Sequence, residues 1–199
     1  MPNIFSEEEK EMLKKQMLEV GFVLIKEHGV THASVDKVTE SVGIGRTTFY
    51  NFFDTKEHFL AEVMQYQRQK GKNYLLQILK DREKMTVLEA KEYLRYLMTG
   101  EETIYQYMTV EESDHISKTV PGAFVPDLEK EIRTIDSIVS HMEGVKENLN
   151  YGMIANFMKT LAVMQTEKEV FHKKEFRKTL EEVLELLFSY IFKDEKLKE

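Results

Sequence analysis

The sequence predicts an all-α protein of about nine helices, in which a small N-terminal helix-turn-helix domain precedes a larger helical domain. Three observations support this prediction. The 199 residues include only 3 prolines and 9 glycines, Glu, Lys, Leu and Met are frequent, and apolar residues recur at helical spacing along most of the chain. A hydrophobic content of 42% and a charged content of 32% are typical of a globular chain.

The first helix is predicted to begin after Ser6, because Ser-Glu-Glu-Glu places a capping serine three residues before a glutamate. Gly29 is predicted to end it, since glycine suits the left-handed cap position. Between them, apolar and small residues follow the one-sided spacing of an amphipathic helix, at Leu13, Met17, Val20, Gly21, Leu24 and Ile25.

The next stretch predicts two short helices joined by a glycine turn. Ser34 is expected to cap the first of them, and Gly43 ends it. The second is expected to run from about Arg46 to Phe52. Two helices of about two turns each, joined by a short turn that contains glycine, form a helix-turn-helix.

Later patterns predict a long fourth helix and five more. The fourth begins at Lys56, capped by Asp54 or Thr55, and reaches about residue 80. The remaining patterns cover roughly 73–98, 101–118, 126–147, 150–166 and 173–193. We therefore expect a helix-turn-helix domain over 1–55, followed by a linking helix over 56–80. A second domain is expected over 73–199.

The net charge of −7 argues at first sight against a polyanionic partner, but the charge is unevenly distributed. Residues 1–72 hold 10 Lys and Arg against 11 Asp and Glu, whereas the rest of the chain holds 18 against 24. Residues 41–53 contain Arg46 and no acidic residue. The local charge thus permits contact with nucleic acid there.

The second helix of a helix-turn-helix enters the major groove, and its N-terminal residues meet base edges. Arg46 offers a forked donor for guanine, and Thr47 can touch a thymine methyl group or a base edge. Hydroxyl, amide and ammonium groups nearby suit phosphate oxygens. The residues predicted to contact DNA are Ser34, Gly45, Arg46, Thr47, Thr48, Tyr50, Asn51 and Lys56. The pattern alone also fits helical proteins that never bind DNA.

Residues 13–62 resemble the TetR family of bacterial transcription regulators. The matching positions are Val20-Gly21, Leu24-Ile25, Gly29, Ser34, Gly43-Ile44, Phe49-Tyr50-Asn51-Phe52-Phe53 and Lys56-Glu57-His58-Phe59-Leu60. The chain departs from the family pattern at Gly45, where serine is frequent, and at Thr47, where glycine is frequent. It also has Thr39 and Val42 in place of an alanine pair.

The resemblance implies a ligand-responsive regulator that binds double-stranded DNA at a pseudo-palindromic operator, most simply a repressor. It also implies a homodimer formed by the last two helices. The residues expected at that interface are Tyr151, Ile154, Ala155, Met158, Leu161, Leu180, Val183, Leu184, Leu187 and Ile191. The alternative is that these two helices belong to the core of a monomer.

The resemblance further implies a pocket for an unknown small-molecule inducer in the second domain. Seven of the 11 methionines lie after residue 72, and methionine and tyrosine suit an apolar or flat aromatic ligand. The pocket candidates are Tyr96, Tyr105, Met108, Met153 and Phe157. Ordinary core packing is the alternative for each of them.

Several functions lack any sequence signal. Cysteine is absent, which excludes a disulfide framework and a cysteine nucleophile. The six histidines show no metal-binding spacing, and no phosphate loop or catalytic constellation stands out, so we expect no metal, no cofactor and no enzymatic activity. No signal peptide or membrane span is visible, which favours the cytoplasm. The alternative function is a helical small-molecule-binding or scaffold protein with a vestigial helix-turn-helix.

Overall fold

The computed structural model describes residues 5–120 and 128–193, except for the side chains of Tyr105 and Val110. Regular structure in these ranges is helical, as the sequence predicts. Two isolated β-bridges also occur. The α-helices are α1 (Glu7–His28), α2 (Val35–Val42), α3 (Arg46–Tyr50), α4 (Lys56–Leu79), α5 (Val87–Thr99), α6 (Val110–Thr119), α7 (Leu128–Val139), α8 (Tyr151–Thr166) and α9 (Lys173–Ile191). Short 3₁₀ turns occupy Ile104–Gln106 and Lys168–Val170.

The described helices fall into two compact units. Among the described residues, one unit contains 5–69 and 107–120, and the other contains 70–106 and 128–193. The division lies within α4, and α6 belongs to the N-terminal unit. None of the helices described is long and apolar enough to cross a membrane.

In the N-terminal unit, α1 packs against α2, and α2 packs against α3. The start of α4 contributes Phe59, whose ring lies 5.2 Å from that of Phe49 and 5.0 Å from that of Phe53. All three rings are almost completely buried. This aromatic cluster fixes α3 to the rest of the unit, since α3 alone is too short to be a stable helix.

Side-chain caps define the helix starts where the sequence predicts them. Ser6 and Glu9 form a reciprocal capping box on α1, and the Ser34 hydroxyl accepts from the backbone N–H of Lys37. Thr55 rather than Asp54 caps α4, because its Oγ1 accepts from the His58 N–H at 3.0 Å. Gly29 ends α1 with a φ of 79°, but its ψ of 166° lies outside the left-handed helical region that the sequence predicts.

The helical structure is interrupted between α4 and α5, where the sequence predicts one continuous helix over 73–98. Lys80 adopts a φ of 51°, and α5 starts only after Thr86, which forms a capping box with Glu89. The predicted helix over 126–147 also ends early, at Val139. Residues after it are held by a bridge between Met85 and Met142 and another between Val145 and Phe192.

The C-terminal unit is organised around α8. This helix packs against α5, α7 and α9, and against the 3₁₀ turn over Ile104–Gln106. Its buried Gln165 amide donates to the carbonyl oxygens of Met98 and Leu161, at 2.7 and 3.0 Å. The core around it is built from leucine, isoleucine, methionine and aromatic side chains. This unit therefore has a hydrophobic core of its own.

Candidate nucleic-acid interface

The turn between α2 and α3 depends on Gly43. Its φ of 76° and ψ of 33° are left-handed, a conformation that costs glycine little and most other residues more. The following Ile44 N–H donates to the Thr39 carbonyl at 2.9 Å, which closes the end of α2. The chain can then start α3 after only two further residues.

The short helix α3 has two chemically different sides. Phe49 is completely buried against the aromatic cluster, and the Tyr50 ring contacts it edge-on at 5.4 Å. Arg46, Thr47, Tyr50 and Asn51 are exposed, and Thr48 is half-buried. A forked donor, two hydroxyls and an amide therefore lie on the solvent side of a helix whose other side is anchored.

Gly45 precedes α3 in an extended conformation and provides no side-chain cap to it. A β-carbon at this position would meet no described atom within 4 Å. Gly45 is therefore not required by packing, and its lack of a side chain leaves the backbone at the start of α3 accessible to a partner.

Ser34 and Lys56 also have roles within the fold. Ser34 caps α2 with its hydroxyl, and Lys56 Nζ donates to the Thr31 carbonyl at 3.0 Å. The lysine thereby ties the start of α4 to the segment before α2. Lys37, exposed in the first turn of α2, is a further basic residue at this end of the helix that the sequence prediction left out.

Asp36 is a second residue that the sequence prediction left out. Its Oδ1 lies 3.3 Å from Nη1 of Arg46, and both side chains are mostly exposed, at 67% and 61%. The two residues stand in the first turns of neighbouring helices, so only the turn geometry brings them together. No local sequence signal announces this pair.

A polar cluster positions the start of α4 beside α1. The Asp54 N–H donates to Nδ1 of His58 at 3.2 Å, and Lys14 Nζ donates to Glu62 Oε1 at 2.8 Å. Tyr66 hydroxyl donates to Glu19 at 2.8 Å, and burial, followed by this hydrogen bond, raises the Tyr66 pKa to about 12. These contacts fix the frame that carries α3.

The predicted dimer residues divide into two groups. Tyr151, Met158 and Val183 are half-buried. The other seven are buried in the core of their own unit: Ile154, Ala155, Leu161, Leu180, Leu184, Leu187 and Ile191. Apolar side chains that α8 and α9 expose lie elsewhere, at Met153, Val163 and Leu186. The periodicity of these two helices thus mainly marks the sides that pack into their own unit, and the dimer interface stays a prediction.

An open groove of about 460 Å³ lies along the exposed side of α8. It is lined by Asn156, Lys159, Thr160, Val163, Met164 and Phe171. A second space, of about 10 Å³, is lined by core residues of α5, α7, α8 and α9 and is too small for an organic ligand.

The structure describes the side chains of four of the five pocket candidates. Met108 is buried in the N-terminal unit, and Met153 is exposed on α8. Tyr96 is half-buried with its ring 4.6 Å from that of Tyr74, and Phe157 packs on Tyr190. The side chain of Tyr105 lies outside the described part. The four described side chains do not line either cavity.

Metal-binding residues do not cluster in the described ranges, where no group of three His, Cys, Asp or Glu side chains could hold an ion. His141 instead contacts the Glu83 carbonyl through Nδ1 at 3.0 Å.

Residues 17–63 match the sequence model of a family described as bacterial regulatory proteins, tetR family. The match confirms the resemblance to the TetR family over this segment. The match spans the second half of α1, all of α2 and α3, and the first third of α4, which together carry the turn at Gly43 and the exposed side of α3. Members of the TetR family are transcription regulators rather than enzymes.

Solved structures of regulators share the fold over most of the chain. FadR, a fatty acid degradation regulator from Bacillus halodurans, is 17% identical with a TM-score of 0.59, over 89% of this chain and 95% of that one. FadR from Bacillus subtilis in complex with stearoyl-CoA is 19% identical with a TM-score of 0.55, over 89% and 98%. NalD, the secondary repressor of the MexAB-OprM efflux pump in Pseudomonas aeruginosa, is 17% identical with a TM-score of 0.53, over 94% and 98%. No protein of curated function matches the sequence.

Proposed function

We propose that this TetR-family protein is a dimeric repressor that binds a pseudo-palindromic DNA site through α3 and releases it when a small molecule binds. The observation that carries the proposal is the two-sided α3. Phe49 anchors one side, while Arg46, Thr47, Tyr50 and Asn51 present donors and a methyl group on the other. Those groups suit base edges and phosphates in a major groove.

The direct test is selection of binding sites from random double-stranded DNA, followed by titration of the wild-type protein and the Arg46→Ala variant. We expect selected sites to contain two half-sites about 10 base pairs apart or a multiple of that spacing. Arg46→Ala should lower the affinity for such a site by about tenfold or more. Recovery of no preferred sequence would contradict the proposal.

The dimer is proposed to form through the exposed sides of α8 and α9. Met153, Asn156, Thr160 and Val163 recur at alternating spacings of three and four residues, which is the spacing of a helix–helix seam. Leu186 is 57% exposed on α9. Sedimentation of Val163→Glu/Leu186→Glu should show a monomer, whereas Leu88→Glu, an exposed position on α5, should leave the dimer unchanged.

The inducer is proposed to be a small apolar or aromatic molecule that binds the C-terminal unit. Seven of the 11 methionines follow residue 72, and a FadR neighbour was solved with stearoyl-CoA. We propose that α4, which contributes to both units, transmits the effect to α3. A panel of acyl-CoA thioesters and flat aromatic compounds should contain one that raises the melting temperature and weakens DNA binding, with coenzyme A as the control.

A further inference from the structure

The acidic side chain of Asp36 is unexpected at a surface that binds a polyanion. It lies in the first turn of α2, and its carboxylate contacts the guanidinium of Arg46 at 3.3 Å. Residues 41–53 contain no acidic residue of their own. The fold therefore places the negative charge of Asp36 beside α3, whose own sequence contains no acidic residue.

The backbone holds Asp36 firmly. Ser34 caps its helix, and the Thr39 hydroxyl donates to the Asp36 carbonyl at 3.0 Å. The backbone of Arg46 is also constrained, because Phe49, one turn later in α3, is anchored in the buried aromatic cluster. The carboxylate and the guanidinium thus meet through two anchored helices, with only their side-chain rotations left to adjust.

The ion pair is too exposed to lock the arginine away from DNA. Pairs of this kind contribute little to stability, since water screens them and two long side chains must be ordered. A guanidinium has five N–H donors, so an arginine that contacts a carboxylate through Nη1 retains donors for the O6 and N7 acceptors of guanine. The pair can persist while a base is read.

The carboxylate has a different effect when the protein contacts only the phosphate groups of DNA. A carboxylate next to the arginine repels the DNA backbone and offsets part of the attraction that drives non-specific binding. A contact between Arg46 and the correct base compensates for this repulsion, whereas a contact with phosphate does not. The difference between specific and non-specific affinity therefore increases.

We propose that Asp36 is a specificity-determining residue, which orients the Arg46 guanidinium toward a guanine and penalises binding to DNA of the wrong sequence. This inference rests on the proposed function, since it requires that α3 read DNA. It adds a residue of α2 to the reading surface and assigns it a role that a phosphate-contacting residue does not have.

The test is a double-mutant cycle on a selected DNA site. Dissociation constants are measured for the site and for a random duplex, with wild type, Asp36→Asn, Arg46→Ala and the double variant. Glu40→Gln is the matched control, because it removes the same charge from an exposed position of the same helix. Circular dichroism checks that each variant is folded.

We expect Asp36→Asn to lower the ratio of random-duplex to specific-site dissociation constants by about tenfold, mainly through tighter binding to the random duplex. Glu40→Gln should leave that ratio within about twofold, and so should Asp36→Asn in the Arg46→Ala background. An unchanged ratio in Asp36→Asn, or an equal fall in Glu40→Gln or in the Arg46→Ala background, would overturn the inference.

The same data separate this inference from the proposed function. If wild type shows no sequence preference, DNA reading itself fails. If wild type prefers its site and Arg46→Ala loses that preference while Asp36→Asn retains it, only the role of Asp36 fails.

Discussion

Gly21 in α1 lies directly against Phe59 in α4. A β-carbon at position 21 would stand 3.0 Å from both Phe59 Cε1 and Val63 Cγ2, and closer still to Phe59 Cζ. The Phe59 ring cannot easily retreat, because Phe49 and Phe53 pack on it and all three are buried. The glycine therefore sets the distance between the two helices that frame α3.

Gly21→Ala should destabilise the N-terminal unit by about 1–3 kcal/mol, since the added methyl group overpacks a filled core. Alanine in a helix is otherwise favoured over glycine, so the sign of the effect reports the clash. Urea denaturation measures it, with exposed Val23→Ala on the same helix as the control. A variant as stable as wild type would mean that Phe59 moves aside.

Gly45→Ser should stabilise α3 by a few tenths of a kcal/mol, because serine supplies the side-chain cap that Gly45 lacks. The position is open and its φ of −83° suits any residue. Gly45→Ala, which cannot cap, serves as the control in the same denaturation series. A serine variant no more stable than the alanine variant would argue against capping at this position.

Gln67→Met should stabilise the protein by about 1 kcal/mol. The Gln67 side chain is 5% exposed, and its amide nitrogen and oxygen have no hydrogen-bond partner among the described residues. A buried polar group without a partner costs about 1–3 kcal/mol, and methionine has a similar shape. Gln65→Met, exposed on the same helix, is the control. Destabilisation by Gln67→Met would indicate that water or a ligand satisfies the amide.

Glu89→Gln should weaken the acid dependence of stability. A hydrogen bond from Arg82, followed by backbone and hydroxyl hydrogen bonds from Thr86, lowers the pKa of Glu89 from 4.5 to about 2. A depressed carboxyl pKa adds stability that is present above about pH 4.5 and is lost as the pH falls toward 2. Melting temperatures from pH 2 to 7 should therefore fall less steeply in the variant than in wild type.

The control for this prediction is Glu92→Gln, which changes an exposed carboxyl on the same helix α5. With this variant, the melting temperature should fall as steeply with decreasing pH as it does in wild type. Equal flattening in both variants would assign the effect to net charge rather than to the contacts of Glu89 with Arg82 and Thr86.

The N-terminal helices were predictable from sequence because local signals define them. Ser6, Ser34 and Gly43 act through hydrogen bonds or backbone angles within a few residues, and each has the role that the sequence predicts. The exposure of Thr47 follows from the same locality, because a residue two positions before the buried Phe49 lies on the opposite side of the helix.

Other features depend on contacts between distant residues. The break after α4 contains no proline or glycine, and Met85 reaches its partner Met142 only in the folded chain. Helical periodicity shows that Leu184 is buried but not what covers it, so core and dimer positions look alike in sequence. The ion pair of Asp36 and Arg46 was missed for the same reason.

The most direct test of DNA reading by α3 replaces each guanine of a selected site, one at a time, with 7-deazaguanine, which lacks the N7 acceptor. Affinities are then compared between wild type and Arg46→Ala. We predict that wild type loses about tenfold at one guanine in each half-site and that Arg46→Ala loses nothing further there. An equal loss in both proteins, or no sensitive guanine in wild type, would contradict base reading by Arg46.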